Sequence, residues 1–448
     1  MAKGTSTRFV CSNCGEVTTT WTGRCLSCGE WNTLEEQVDV VVDGKDYGGV
    51  SLKTESITKA AQSKNSRVKT GLDDVDLVLG GGLVPGSINL VAGQPGIGKS
   101  TLLLQLANNT SLKHKVLYIS GEESARQIAL RAERLGAKNP ALGLAVSNSA
   151  NDIARTITDG HYAIVIVDSI QAVSVNEVKS AAGSISQITN SAHLIGLAAK
   201  AANTVVILVG HVTKEGSIAG PKVLEHVVDV VMQLEGDRYG GFKILRSVKN
   251  RFGSTNETGI FEMAEAGLKP VSNPSAALLA ERQASDGSIV LATMEGTRPL
   301  LVEVQALVNP TSYGYPKRAA SGIDLNRVNL LIAVLERRTK LKLAENDIYV
   351  NIVGGMRISE PAADLAVCMA IASAAKGMQL KQNAVVFGEV GLSGEIRHVP
   401  FSDKRIAEAK KLGFKTAIGP KVLSGPKPAL LTPVTDVRSA LNLFLEKS

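Results

Sequence analysis

Between Gly93 and Thr101 the chain runs Gly93, Gln94, Pro95, Gly96, Ile97, Gly98, Lys99, Ser100, Thr101, which spells the GxxxxGKS pattern of a phosphate-binding loop. The glycines let backbone N–H groups turn inward around a β-phosphate. Lys99 then reaches the β- and γ-phosphates, and the Ser100 hydroxyl takes one position on Mg²⁺, so the expected ligands are ATP and Mg²⁺. An apolar run precedes the loop (Ile88 to Ala92) and a helical stretch, Leu102 to Asn108, follows it, which is the order this motif requires. A second apolar run, Ala163 to Val167, ends in Asp168, where a carboxylate would hold Mg²⁺ through water. A third, Val116 to Ser120, ends in Gly121-Glu122-Glu123. Glu122 is the expected base for the attacking water, with Glu123 in reserve; a glutamate pair that merely stabilises a helix N-terminus has the same pattern.

Two CxxC pairs, Cys11 with Cys14 and Cys25 with Cys28, lie ten residues apart and are each followed by glycine. Each such turn aims two thiolates at one point, and four thiolates in tetrahedral geometry select Zn²⁺. A redox dithiol needs one pair in a βαβ setting that is missing here. The fifth cysteine, Cys368, sits in an apolar helical pattern and reads as a small buried hydrophobe.

The elements that must position these groups can be placed along the chain. At 448 residues it exceeds what one core supports, so two or three domains are expected. We read a zinc ribbon over residues 1–34, a linker over 35–66, an ATPase domain over 67–270 and a further domain over 281–448. Apolar strands alternate with helices through the second of these domains, the pattern of a parallel, doubly wound α/β sheet. The longest apolar run, Ala362 to Ala375, is broken by Asp364 and too short for a bilayer, and Met1 to Val10 has no apolar secretion core. No membrane span and a cytoplasmic location are therefore expected, where thiols stay reduced. A net charge of +7 modestly favours a polyanionic partner.

Lys249-Asn-Arg-Phe-Gly253, taken with the CxxC pairs and the phosphate loop, resembles the bacterial RadA (Sms) family over nearly the whole chain. The resemblance implies a RecA-like P-loop core and a DNA-dependent ATPase of homologous recombination. It further implies homo-hexameric rings like the DnaB helicase, binding of single-stranded and branched DNA, and branch migration alongside RecA. By the same analogy Lys249 and Arg251 would approach the γ-phosphate held by a neighbouring subunit; a surface basic turn on DNA phosphates is the other reading. The loop from Thr213 to Lys222 would face DNA, a solvated connection of no special role being the other reading; His211 at the end of the preceding strand either senses the γ-phosphate or is a satisfied structural histidine. A regulatory ATPase ring resembling KaiC shares the core but explains neither the ribbon nor the Lys249–Gly253 string.

Residues from about Asp286 onward are similar to the Lon protease fold, an α+β domain, through Gly354-Gly355, the stretch Glu360 to Ala366, and Phe387 to Arg397. The nucleophile is absent: Ala362 stands where Lon has serine, and the dyad lysine falls near Lys404 or, in the better alignment, Arg405. Peptide hydrolysis has no starting group, so a protease is rejected. Arg337, Arg338, Lys340 and Lys342 are left as candidate DNA contacts or a solvated helix end.

Overall fold

The structure, a computed structural model, describes residues 7–11, 16–38, 56, 67–211, 222–236, 242–312, 314–380, 383–421 and 428–447. Two compact units divide the chain, Met1–Lys64 and Asn65–Ser448.

In the first unit the strand Thr7–Cys11 pairs antiparallel with Val17–Thr18 on one side and Leu34–Val38 on the other. The ribbon thus continues to Val38, four positions beyond the boundary read from the cysteines, because its third strand closes the sheet. Its core consists of Cys11, Cys25 and Leu34, with Phe9 and Cys28 packed against them.

The second unit contains two large sheets. The first has nine strands in the order Gly267–Pro270, Thr258–Ala264, Phe242–Asn250, Val230–Gly236, Ile88–Gly93, Val205–His211, Ile164–Asp168, Val116–Ser120, Leu142–Val146. The six strands from Val230–Gly236 to Leu142–Val146 are parallel and the remaining three antiparallel. This corrects the all-parallel expectation: the segments joining the last four strands are too short for a crossover helix, so the chain can only fold back on itself. Helices cover both faces of the parallel part, and two separate apolar clusters result. Leu90, Val165, Ile166 and Val206, for example, are wholly buried, which is why those strands read as continuous apolar runs.

Seven strands in a second sheet, centred on Ser288–Glu295 and Arg298–Pro310, pack against the helices Leu325–Thr339 and Asp364–Lys376. Cys368 is fully buried in the latter helix, and that burial pushes its thiol up, consistent with a packing role. The two sheets are clamped together. At the hairpin tip Thr297 N donates to Asn256 O at 2.7 Å, Arg246 Nη2 donates to Glu295 at 3.0 Å, and Arg298 pairs with Asp74 at 3.2 Å. Gly296 turns the hairpin with φ +60°, and a Cβ there would lie 1.9 Å from Asn256 O, so glycine is what lets the tip approach so closely.

Candidate functional site

Lys99–Ser111 forms the helix after the phosphate loop, entered through Gly98 in a left-handed conformation at φ 116°. Its first-turn N–H groups therefore point to the carboxyl edge of the parallel sheet. Pro95, Gly96, Gly98, Lys99, Ser100 and Thr101 line a cleft of about 270 Å³ there, together with Glu122, Glu123, Arg131, Asp168 and His211. Ile97 instead turns inward, 1% exposed, and anchors the loop to the core beneath.

Lys99 is buried, and its Nζ donates to the carbonyls of Gly93 at 2.9 Å and Gln94 at 3.1 Å. Burial lowers its amine to about 8, against the opposing pull of Asp168 and Glu122. His211 Nδ1 lies 3.2 Å from the same amine, and burial together with Lys99 keeps the imidazole below its ordinary value, so this ring nitrogen is available to accept. On the other side of the ring, Nε2 is 3.9 Å from Glu122 Oε1.

The structure brings Asp168 and Glu122 to one edge because their strands are neighbours in register, Ser120 opposite Asp168. Ser169, joined to Asp168 by a cis peptide bond, hydrogen-bonds through its hydroxyl to Glu122. Glu123 is separately occupied: Arg131 Nη2 donates to it at 2.6 Å. Tyr118 Oη donates to Asp168 Oδ2 at 2.5 Å. Neither Arg131 nor Tyr118 was among the residues read from the sequence. Arg131 could have been found eight positions after Glu123, in the second turn of the helix that follows it; Tyr118 as the phenol within the apolar stretch Val116 to Ile119.

Lys249 and Arg251 are not in this cleft. Asn250 pairs with Val230, which is level with Asn89, whereas Gly93 is level with Leu234; four residues of strand, about 13 Å, separate the two edges. At that far edge Lys249 Nζ donates to the carbonyls of Glu225 at 2.5 Å and Val228 at 2.8 Å, at the end of the helix Lys222–Val227. Arg251 pairs with the buried Asp229 at 3.1 Å while remaining 53% exposed. The rest of the string is structural. Asn250 Oδ1 accepts from Phe252 N at 2.9 Å, Phe252 packs on the core, and Gly253 abuts Gly80. Residues 213–221 of the loop expected to meet DNA, Lys214 among them, lie outside the described residues, as does the side chain of Lys222.

In the ribbon, Cys11, Cys25 and Cys28 bring their sulfurs within 4.8 Å of one another, and Cys11 Sγ lies 3.7 Å from Cys28 Sγ. A tetrahedron with Zn–S of about 2.3 Å has sulfurs about 3.8 Å apart, so the three thiols fit Zn²⁺. Cys14 lies outside the described residues.

Where Lon carries its dyad, Ala362 is a buried methyl and Arg405 a buried guanidinium. Arg405 is locked bidentate onto Glu360, at 2.9 Å and 2.7 Å, and also donates to Ala292 O at 2.7 Å. Glu360 accepts further from Met294 N at 2.8 Å and from the Thr293 hydroxyl. Arg337, Arg338, Lys340 and Lys342 are exposed around the end of the helix Leu325–Thr339.

The fold and this cleft define an AAA/RecA-like P-loop ATPase with a zinc ribbon ahead of the core and a ChlI/Lon-like domain behind it. Residues 54–217 match the AAA domain family, 9–36 the rubredoxin metal binding domain, and 322–422 subunit ChlI of Mg-chelatase. The DNA repair protein RadA of Bacillus subtilis is 47% identical, covering 99% of this chain and 100% of its own length. Those of Halalkalibacterium halodurans and Escherichia coli are 46% and 42% identical, covering 98% and 99% of both partners respectively. The chain belongs to the bacterial RadA family.

Proposed function

We propose that this chain is a DNA-dependent ATPase of DNA repair that works as a homo-hexameric, DnaB-type helicase. In this reading it moves along single-stranded DNA and drives branch migration of recombination intermediates together with RecA. Gly93–Thr101 hold the phosphates of ATP, while Ser100 and Asp168 hold Mg²⁺, which when bound neutralises charge on the β- and γ-oxygens. Glu122, with no cation closer than His211 among the described residues, orients and deprotonates the attacking water.

One observation carries the ring: the phosphate cleft and the Lys249–Arg251 pair occupy opposite edges of the same sheet. A subunit that cannot bring its own cations to its own nucleotide can offer them to a neighbour's, and a repeated head-to-tail contact of that kind closes into a ring. Arg251, exposed beyond its bond to Asp229, then stabilises transition-state charge in trans. DNA enters this account through phosphate contacts. Arg337, Arg338, Lys340 and Lys342, with Lys376 and Arg438 beside a hollow of about 230 Å³, supply a cationic surface for it.

Subunit mixing tests the proposal. Arg251→Ala and Glu122→Gln proteins, each inactive alone, should regain part of the ATPase rate when combined, because some interfaces then pair an intact cleft with an intact arginine. Mixtures that stay inactive at every ratio exclude action in trans.

A further inference from the structure

We propose that Tyr118 is a positioning residue that presets the metal-binding carboxylate, an assignment that rests on reading Asp168 as a magnesium ligand. Tyr118 is the middle residue of Val116–Ser120 and only 1% exposed, among Leu104, Ile128 and Ile166. A phenylalanine ring fills that apolar volume equally well, so packing does not account for the hydroxyl.

Geometry does. The hydroxyl donates to Asp168 Oδ2 at 2.5 Å. The phenol therefore holds the strand-end carboxylate that lines the cleft beside Lys99 and Ser100. In register Asp168 faces Ser120, two residues beyond Tyr118, so only a long side chain from that strand position can meet the carboxylate from below. Among the described residues no other donor reaches the Asp168 side chain, and the nearby Arg131 is engaged by Glu123 at 2.6 Å. Without the phenol the carboxylate loses the contact that fixes its rotamer, and metal binding must then supply the ordering. Outer-shell partners of metal ligands typically contribute about 10- to 100-fold in metal affinity.

The test uses full-length protein and ADP, with no turnover. Mn²⁺ replaces Mg²⁺ so that bound metal is read directly by electron paramagnetic resonance, and ADP affinity is measured separately in chelator. Tyr118→Phe, isosteric apart from the hydroxyl, should raise the Mn²⁺ concentration for half-saturation about tenfold while leaving ADP affinity in chelator unchanged. Asp168→Asn is run alongside. If Asp168→Asn weakens metal binding and Tyr118→Phe does not, the positioning role is overturned while the Asp168 assignment stands. If Asp168→Asn itself binds metal normally, that assignment fails and takes the proposal with it. Equal losses of ADP affinity with and without metal in Tyr118→Phe would mean a packing role, and also overturn the proposal.

Discussion

Arg131 grips the carboxylate of Glu123 at 2.6 Å, and this one pairing separates two glutamates that stand side by side in the sequence. Glu122 is left facing the cleft beside Ser169 and His211. Glu123 is thereby tied to a guanidinium, whereas Glu122 keeps its place at the cleft for an incoming water.

Glu122→Gln should therefore lower ATP turnover by at least about 100-fold with nucleotide binding intact, as expected for loss of a general base. Glu123→Gln should keep most of the rate. Steady-state hydrolysis and fluorescent-nucleotide titration distinguish them; the opposite ranking would make Glu123 the base.

Glu360 and Arg405 form the polar centre of the C-terminal sheet. Removing the acid from a buried pair leaves an uncompensated charge, so Glu360→Ala should cost about 3–5 kcal/mol in denaturant unfolding. Burial pushes the Glu360 carboxyl up, but the bonds from Arg405 and Thr293 outweigh it and hold the group below its ordinary value. A depressed carboxylate stabilises the fold above its unfolded pKa and loses that contribution as pH falls through its folded one. Wild type and Glu360→Ala should thus converge in stability on acidification. A constant gap between them across the acid range would show that the pair is not the cause.

The ribbon should release one zinc per chain under a strong chelator, and Cys25→Ala should arrive without it. Its meagre apolar core predicts loss of the ribbon's β-signal along with the metal. Metal analysis and limited proteolysis would detect this; a chelated ribbon as resistant as the loaded one speaks against a metal-built fold.

What could be read from the chain depended on whether the chemistry was contiguous. The phosphate loop and the cysteine pairs each occupy one short stretch, and spacing alone carries their meaning. Asp168 was legible because a buried strand ending in a carboxylate is itself a local pattern. Tyr118 was not: it sits in an apolar strand, and only the pairing of that strand with Ile164–Asp168 brings it to the carboxylate, whereas Arg131 meets Glu123 within one loop and the helix after it. The antiparallel turn-back after Val230–Gly236 was missed because apolar strands of similar composition serve both kinds of ladder. The distance between Lys249 and the phosphate loop was likewise invisible, since it is set by pairing register.

The most direct measurement is the rate of ATP hydrolysis by the purified chain with and without a single-stranded oligonucleotide, at low and moderate salt, with Lys99→Ala as the blank. A DNA motor predicts clear acceleration by the oligonucleotide that fades as salt screens the phosphate contacts, and no activity in the blank. A rate indifferent to DNA at low ionic strength would contradict the account.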